Sequence, residues 1–158
     1  MARVVIVVSD TSCISNLLII GRADLLQQLF GEVVIPVAVR DELLVKHPNI
    51  PPFVKVGTVS DHAAVVALSA QLDEGEAEAI VLAGELKADF LLMDETDGRE
   101  EALRRGLHVI GLLGVLVESK RLGFLPEVRP LLDRLERDAV FWFSAKIRQQ
   151  ILALAGEA

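Results

Sequence analysis

The chain is poor in cysteine, in aromatic residues and in basic charge. One of its 158 residues is cysteine, one is tryptophan and none is tyrosine. A single Cys13 excludes an intrachain disulfide and fits a reducing compartment, which places the expected protein in the cytoplasm. No Cys/His partner pattern surrounds Cys13, so it reads as a small buried apolar residue rather than a nucleophile. Aromatic residues make up 4% of the chain against 52% hydrophobic residues in all. The core must therefore be built from Val, Leu, Ile and Ala, a composition suited to helices packed on a buried parallel sheet. Sixteen basic residues against 23 acidic ones give a formal net charge of -7. That excludes a general nucleic-acid coating protein, which would be basic. No apolar run approaches the roughly 20 residues of a membrane span. The apolar stretch after Arg3 stops at Ser9-Asp10, too short for the apolar segment of a secretory signal. His47, His62 and His108 are scattered and lack zinc-ligand spacing.

What is present alternates. Residues 3–9 form a short, continuous, β-branched apolar run that reads as a buried strand. Thr11-Ser12 can cap a helix through about residue 20, and another helix follows over 23–30. A strand over 33–35 leads to Pro36, which opens a helix to about Lys46 from its first position, where a missing N–H costs little. The loop 47–52 holds three of the six prolines and leads to an edge strand over 53–56. Helices are expected over 61–70 and 74–87, the second capped by Asp73. A strand at 90–93, a helix at 98–105, a strand at 107–110 and a helix at 111–121 complete the alternation. Amphipathic segments over 126–137 and 144–154 close the chain. No linker or repeat interrupts residues 1–158, so one domain is expected. The βα alternation implies a three-layer α/β/α sandwich around a mainly parallel sheet. Mean hydropathy is high at +0.45, so some apolar faces are expected to be covered by a partner or a second copy. Segments 17–20, 25–30 and 112–117 are the candidates.

The acids carry the chemistry. Asp10 ends the first apolar run and Asp94 ends the run 90–93. Ligands of open α/β sheets bind just beyond the carboxyl ends of strands. A set of carboxylates on one rim is costly unless a cation neutralises it, which predicts Mg²⁺ or Mn²⁺. Asp10 is followed by Thr11 and Ser12, whose hydroxyls can hold its carboxylate, and by Asn16 one turn beyond Ser12. A turn residue and helix cap is the competing reading of Asp10. Glu42 borders the stripe of Val39 and Leu43, with Asp41 beside it as an equal surface acid. Glu76 lies three residues after Asp73, the spacing of a capping box. Gly75 is a poor helix residue, and its presence lets something approach the backbone closely. Asp94, Glu95 and Asp97 place three acids within four residues. Arg99, Arg104, Arg105, Lys120 and Arg121 can supply a local phosphate-binding patch, with solvated helix faces as the alternative.

These residues together resemble the PIN-domain family, and within it the VapC-like toxin nucleases and their DUF3368 relatives. The matching stretches are Asp10-Thr11-Ser12, residues 39–43, 72–80, 91–95 with Gly98-Arg99, 106–116, and Phe143-Ser144 with the final helix. The resemblance spans nearly the whole chain, and the order of its short motifs is more specific than any one of them. It implies a parallel sheet of four or five strands and Mg²⁺- or Mn²⁺-dependent RNA endonuclease chemistry. It places Asp10, Glu42, Glu76 and Asp94 at four catalytic acidic positions and Ser12 at a polar support position, with Asn16 beside it. Asp10, Asp94 and Glu76 are then metal ligands, joined by Asp97 or Glu95, and Arg99 is a substrate-binding candidate. The resemblance also implies a homodimer held inactive by a small antitoxin. Leu92 stands where many members have Thr or Ser. A catalytically silent PIN-like domain that binds a protein partner is the alternative. A receiver domain would need adjacent acids after its first strand, and a haloacid-dehalogenase-type phosphatase would need Asp at position 12.

Overall fold

The computed structural model describes residues 4–158. Among them, five strands and nine helices follow one another as the sequence pattern requires. The first half holds β1 (Val7–Ser9), α1 (Thr11–Ile19), α2 (Asp24–Phe30), β2 (Val33–Pro36), α3 (Val37–Lys46), β3 (Val54–Gly57) and α4 (His62–Leu68). The second holds α5 (Glu74–Leu86), β4 (Phe90–Leu92), α6 (Thr96–Arg104), β5 (Val109–Ile110), α7 (Leu112–Arg121), α8 (Arg129–Asp138) and α9 (Ala145–Leu154). All strand pairs are parallel, in the order β3-β2-β1-β4-β5. The expected three-layer α/β/α sandwich is the fold.

Side chains alternate across the sheet, and the core divides accordingly. Val7, Val33, Ile35 and Leu92 join the inward faces of α1, α2, α7 and α8. Val8, Leu91 and Met93 join α4, α5 and α6 on the other side. The central strands β2, β1 and β4 are thus largely buried on both faces, which explains why they read as continuous apolar runs, while the edge strands β3 and β5 are partly exposed. Segments 17–20, 25–30 and 112–117 point largely inward. Leu17, Ile20, Leu25, Leu26, Leu112, Val115 and Leu116 all belong to the first core, which leaves Ile19 as an exposed apolar side chain there.

Three boundaries differ from expectation for identifiable reasons. The strand expected over 3–9 starts at Val7, where its pairing with Phe90 of β4 begins. The Ile6 amide is already taken by Asp89 Oδ2 at 2.8 Å, and Val4 is 81% exposed. Arg3 lies outside the described residues. The strand expected over 107–110 is only Val109–Ile110, because the Leu107 amide still closes the end of α6 on the Ala102 carbonyl. Helix α6 starts at Thr96, so Gly98 lies inside it rather than opening it. No helix among the described residues is long and apolar enough to cross a membrane.

The strand order places the site. From β1 the chain runs outward to β2 and β3, then returns to the other side of β1 for β4 and β5. The reversal lies between β1 and β4, and ligands of open α/β sheets bind beyond the carboxyl ends of the strands at such a switch.

Candidate active site at the strand switch

Asp10 follows β1 directly and lies at this switch. Its amide donates to the Leu92 carbonyl at 3.0 Å, so the ladder between β1 and β4 continues up to the acid. Asp10 is only 3% exposed. It is the residue that caps α1, rather than Thr11 or Ser12. The Cys13 amide donates to its Oδ1 at 3.2 Å, and the Ser12 hydroxyl reaches Oδ2 at 3.4 Å. These donors do not offset its surroundings. Burial, and next the charge of Asp94, push its carboxyl up to about 7.

Asp94 stands at the end of the neighbouring strand and is anchored on both oxygens. The Leu112 amide at the start of α7 donates to Oδ1 at 2.9 Å, where the positive helix end favours a carboxylate. The Cys13 thiol donates to Oδ2 at 3.3 Å. Cys13 thus touches both strand-end acids, one through its backbone and one through its side chain.

The two glutamates arrive from helices. Glu42 sits on the second turn of α3, where Thr11 Oγ1 donates to its Oε2 at 2.8 Å. Its carboxylate lies against Gly75, and a Cβ at that position would collide with Glu42 Oε1. The poor helix residue noted in the sequence therefore admits an acid from another helix. Glu76 lies in the first turn of α5, whose N-cap Asp73 accepts from the Glu76 amide at 2.8 Å. A Cβ on Gly98 would stand 2.9 Å from Glu76 Oε2. Burial raises the Glu76 carboxyl to about 8, assisted by its hydrogen bond to Asp73 and the charge of Asp73.

A pocket of about 280 Å³ joins these groups. Asp10, Glu42, Asp73, Glu76 and Glu95 supply its acids. Thr11, Ser12, Ser15, Asn16 and Lys46 supply the rest of its lining. Asp94 lies behind Asp10, in contact with Cys13 and α7. Asp97 is exposed in the first turn of α6 and is not part of the described lining, whereas Glu95 is. Arg99 donates to the Met93 carbonyl at 3.0 Å, so it fastens the turn that carries Asp94. The other basic candidates are engaged nearby. Arg104 and Arg105 pair with Glu101, Lys120 pairs with Glu157, and Arg121 pairs with Glu118.

The donor chemistry fits a hard divalent cation. The available groups are carboxylate oxygens, and burial, with neighbouring acids next, makes Asp10 and Glu76 hold protons more tightly than free carboxyls. Among the described residues no three His, Cys, Asp or Glu side chains stand ready around a common metal position. The sequence reading missed three parts of this pocket: Lys46, the Thr11–Glu42 bond and the double contact of Cys13. Two of the three had a spacing signal, and the Thr11–Glu42 bond, between residues 31 apart, had none. Lys46 is one helical turn beyond Glu42, and Cys13 is three residues beyond Asp10, where a cap's partner amide lies.

No curated protein and no solved structure matches the chain. A family model does: residues 6–157 match DUF3368, a PIN domain. PIN domains are in general nucleases that act on nucleic acid, usually with divalent metals. The match runs from the strand that ends in Asp10 to the last turn after α9, and with it the chain belongs to the DUF3368 family of PIN domains.

Proposed function

We propose that this chain is a Mg²⁺- or Mn²⁺-dependent endoribonuclease, the toxin of a toxin–antitoxin pair. The observation that supports it is the meeting of five carboxylates in one pocket at the strand switch, with the pKa values of Asp10 and Glu76 raised by burial and by neighbouring acids. Asp10 and Asp94 would hold the cation directly, and Glu42 and Glu76 would complete its surroundings directly or through water, with Glu95 rather than Asp97 as the added acid. When bound, such a cation lowers the pKa of a water and neutralises charge on phosphate oxygens during in-line attack.

The chain's own groups do the rest. Ser12 and the Cys13 amide fix the direction of Asp10. The Leu112 amide and the Cys13 thiol fix Asp94 while leaving oxygen lone pairs free. Thr11 turns Glu42 toward the pocket, and Asn16 offers an amide to the substrate. Arg99 supports the turn after β4 and lies close enough to Asp94 to meet a phosphate as well. The family resemblance further supports a cytoplasmic homodimer restrained by a small antitoxin. Light scattering on a purified sample checks the dimer directly, since one chain is 17.2 kDa.

The test is cleavage of an RNA oligonucleotide by the purified, antitoxin-free protein in Mn²⁺. Activity should vanish with chelator and with Asp10→Asn. Absence of cleavage in both Mg²⁺ and Mn²⁺, or an Asp10→Asn variant of full activity, overturns the proposal. One observation favours the second reading, a catalytically silent interaction domain: the lack of a preassembled three-ligand group among the described residues. Calorimetric titration with Mn²⁺ separates the two, because a silent domain has no need of the ion.

A further inference from the structure

The pocket is not uniform in charge. Its α5 and α6 side carries Asp73, Glu76 and Glu95, while its α1 side presents Ser15 and Asn16, which are neutral. Lys46, in the last turn of α3, is the only cation among the described lining residues. It lies four residues after Glu42, the spacing and order that favour a Glu–Lys pair on a helix. That pair does not form. Glu42 turns instead to Thr11 and toward Gly75, and Lys46 has no ion pair or hydrogen bond among the described residues. The next residue, His47, is bonded to Ser15 at 2.9 Å between Nε2 and Oγ. This bond ties the end of α3 to α1 beside Lys46 without adding a carboxylate. The ammonium is therefore exposed and without an ion pair among the described residues.

We propose that Lys46 binds a non-scissile phosphate of single-stranded RNA, one that flanks the bond held at the acids. This rests on the nuclease reading of the same pocket. A chain of phosphates crossing this pocket is repelled by its five carboxylates except at a bound metal, and Lys46 is the one described lining group that attracts a flanking phosphate. Lys46 sets the side by which the strand enters and places the scissile bond over Asp10. Arg104, Arg105, Lys120 and Arg121 of the expected basic patch are engaged with acids and Arg99 with the Met93 carbonyl, so the flanking contact falls to a residue outside that patch.

The experiment uses a short fluorescent single-stranded RNA, Ca²⁺ in place of the catalytic ion, and anisotropy over a salt series. Lys46→Gln should weaken binding roughly two- to fivefold and reduce the slope of log affinity against log salt by about 0.7, the value of one single-strand phosphate contact. Lys46→Arg should restore the slope. Lys146→Gln, on α9, serves as the control and should change neither. If Lys46 only offsets the acids, Lys46→Gln will tighten Mn²⁺ binding in calorimetry and leave the RNA salt slope as in the wild type, which overturns the inference. Wild-type cleavage in Mn²⁺, run in parallel, separates the two readings. Cleavage with an unchanged Lys46→Gln slope removes the Lys46 assignment and keeps the nuclease. Binding without cleavage, with the slope reduced, removes the nuclease and keeps the phosphate contact. A wild type that neither binds nor cuts removes both.

Discussion

The strand-end wall and the helix wall of the pocket reach the same result by different means. Asp10 and Asp94 are held by backbone amides, from Cys13 and Leu112, at the ends of adjacent strands. Glu42 and Glu76 are held by side-chain partners on helices, and two glycines clear the space that their carboxylates occupy. Backbone anchoring fixes position and depends little on neighbouring side chains. Side-chain anchoring depends on each neighbour remaining what it is. Substitutions should therefore act differently on the two walls.

The largest effect is expected at Asp10. At pH 8 the carboxyl is ionised against a folded pKa of about 7 and an ordinary value of 3.8. Asp10→Asn keeps a cap for the Cys13 amide and removes that cost, so the metal-free protein should gain up to roughly 4 kcal/mol in urea unfolding. Cleavage should be abolished at the same time. A destabilised Asp10→Asn protein would mean that the strand-end wall is already balanced without a cation.

Next is the response to pH. Folded Asp10 and Glu76 release their protons near 7 and 8, against 3.8 and 4.5 for the ordinary groups. Between these limits the folded chain binds more protons than the unfolded one, so rising pH weakens the metal-free fold across this window. Bound metal displaces those protons, so Mn²⁺ affinity should rise from pH 6 to pH 8, by up to about tenfold per pH unit for each proton released. Calorimetry at the two values, in buffers of different ionisation heat, counts the protons. A pH-independent affinity would contradict the raised values.

The glycines probe the helix wall. Gly75→Ala should favour α5 by about 1 kcal/mol from propensity alone, yet its Cβ would push Glu42 aside. We expect at least a tenfold loss in kcat/KM with the fold intact by circular dichroism. Gly98→Ala should act on Glu76 as well, while also displacing the Met93 sulfur, which its Cβ would meet first at 2.5 Å. Unchanged activity in both would show that the helix wall tolerates displacement. The smallest effect is expected from Thr11→Val, which removes one exposed bond to Glu42. A loss of roughly threefold in kcat/KM fits a bond worth about 0.5–1 kcal/mol.

Much of this was legible in the sequence because the fold writes itself in period and punctuation. Short β-branched runs gave the strands, and Gly and Pro marked most helix ends. What escaped depended on partners distant in sequence. Residues 4–6 look like strand, but the ladder starts only where Phe90 pairs with Val7. Leu107 looks like strand, but its amide is spent on Ala102. The positions of Asp10 and Asp94 at strand ends were readable from the sequence, whereas the roles proposed for Glu42 and Glu76 rest on the family likeness. The geometry explains this. Their convergence is produced by Gly75 and Gly98, whose missing side chains carry no charge pattern to notice. The engagement of the basic candidates was only partly legible: Arg104, Arg105 and Arg121 pair with acids one turn away, whereas the partner of Lys120, Glu157, lies far along the chain.

The bond from the Asp10 amide to the Leu92 carbonyl has a consequence for how such a protein can diversify. It makes the spacing of the two strand-end acids a property of the sheet lattice, with neighbouring strands about 4.8 Å apart, rather than of any loop. Loops and outer helices can then be lengthened, exchanged or recoded for new targets while this ruler stays fixed. The proline-rich loop before β3 and the short α4, which carry none of the lining residues, are where such rewriting should be tolerated with the least disturbance to the acids.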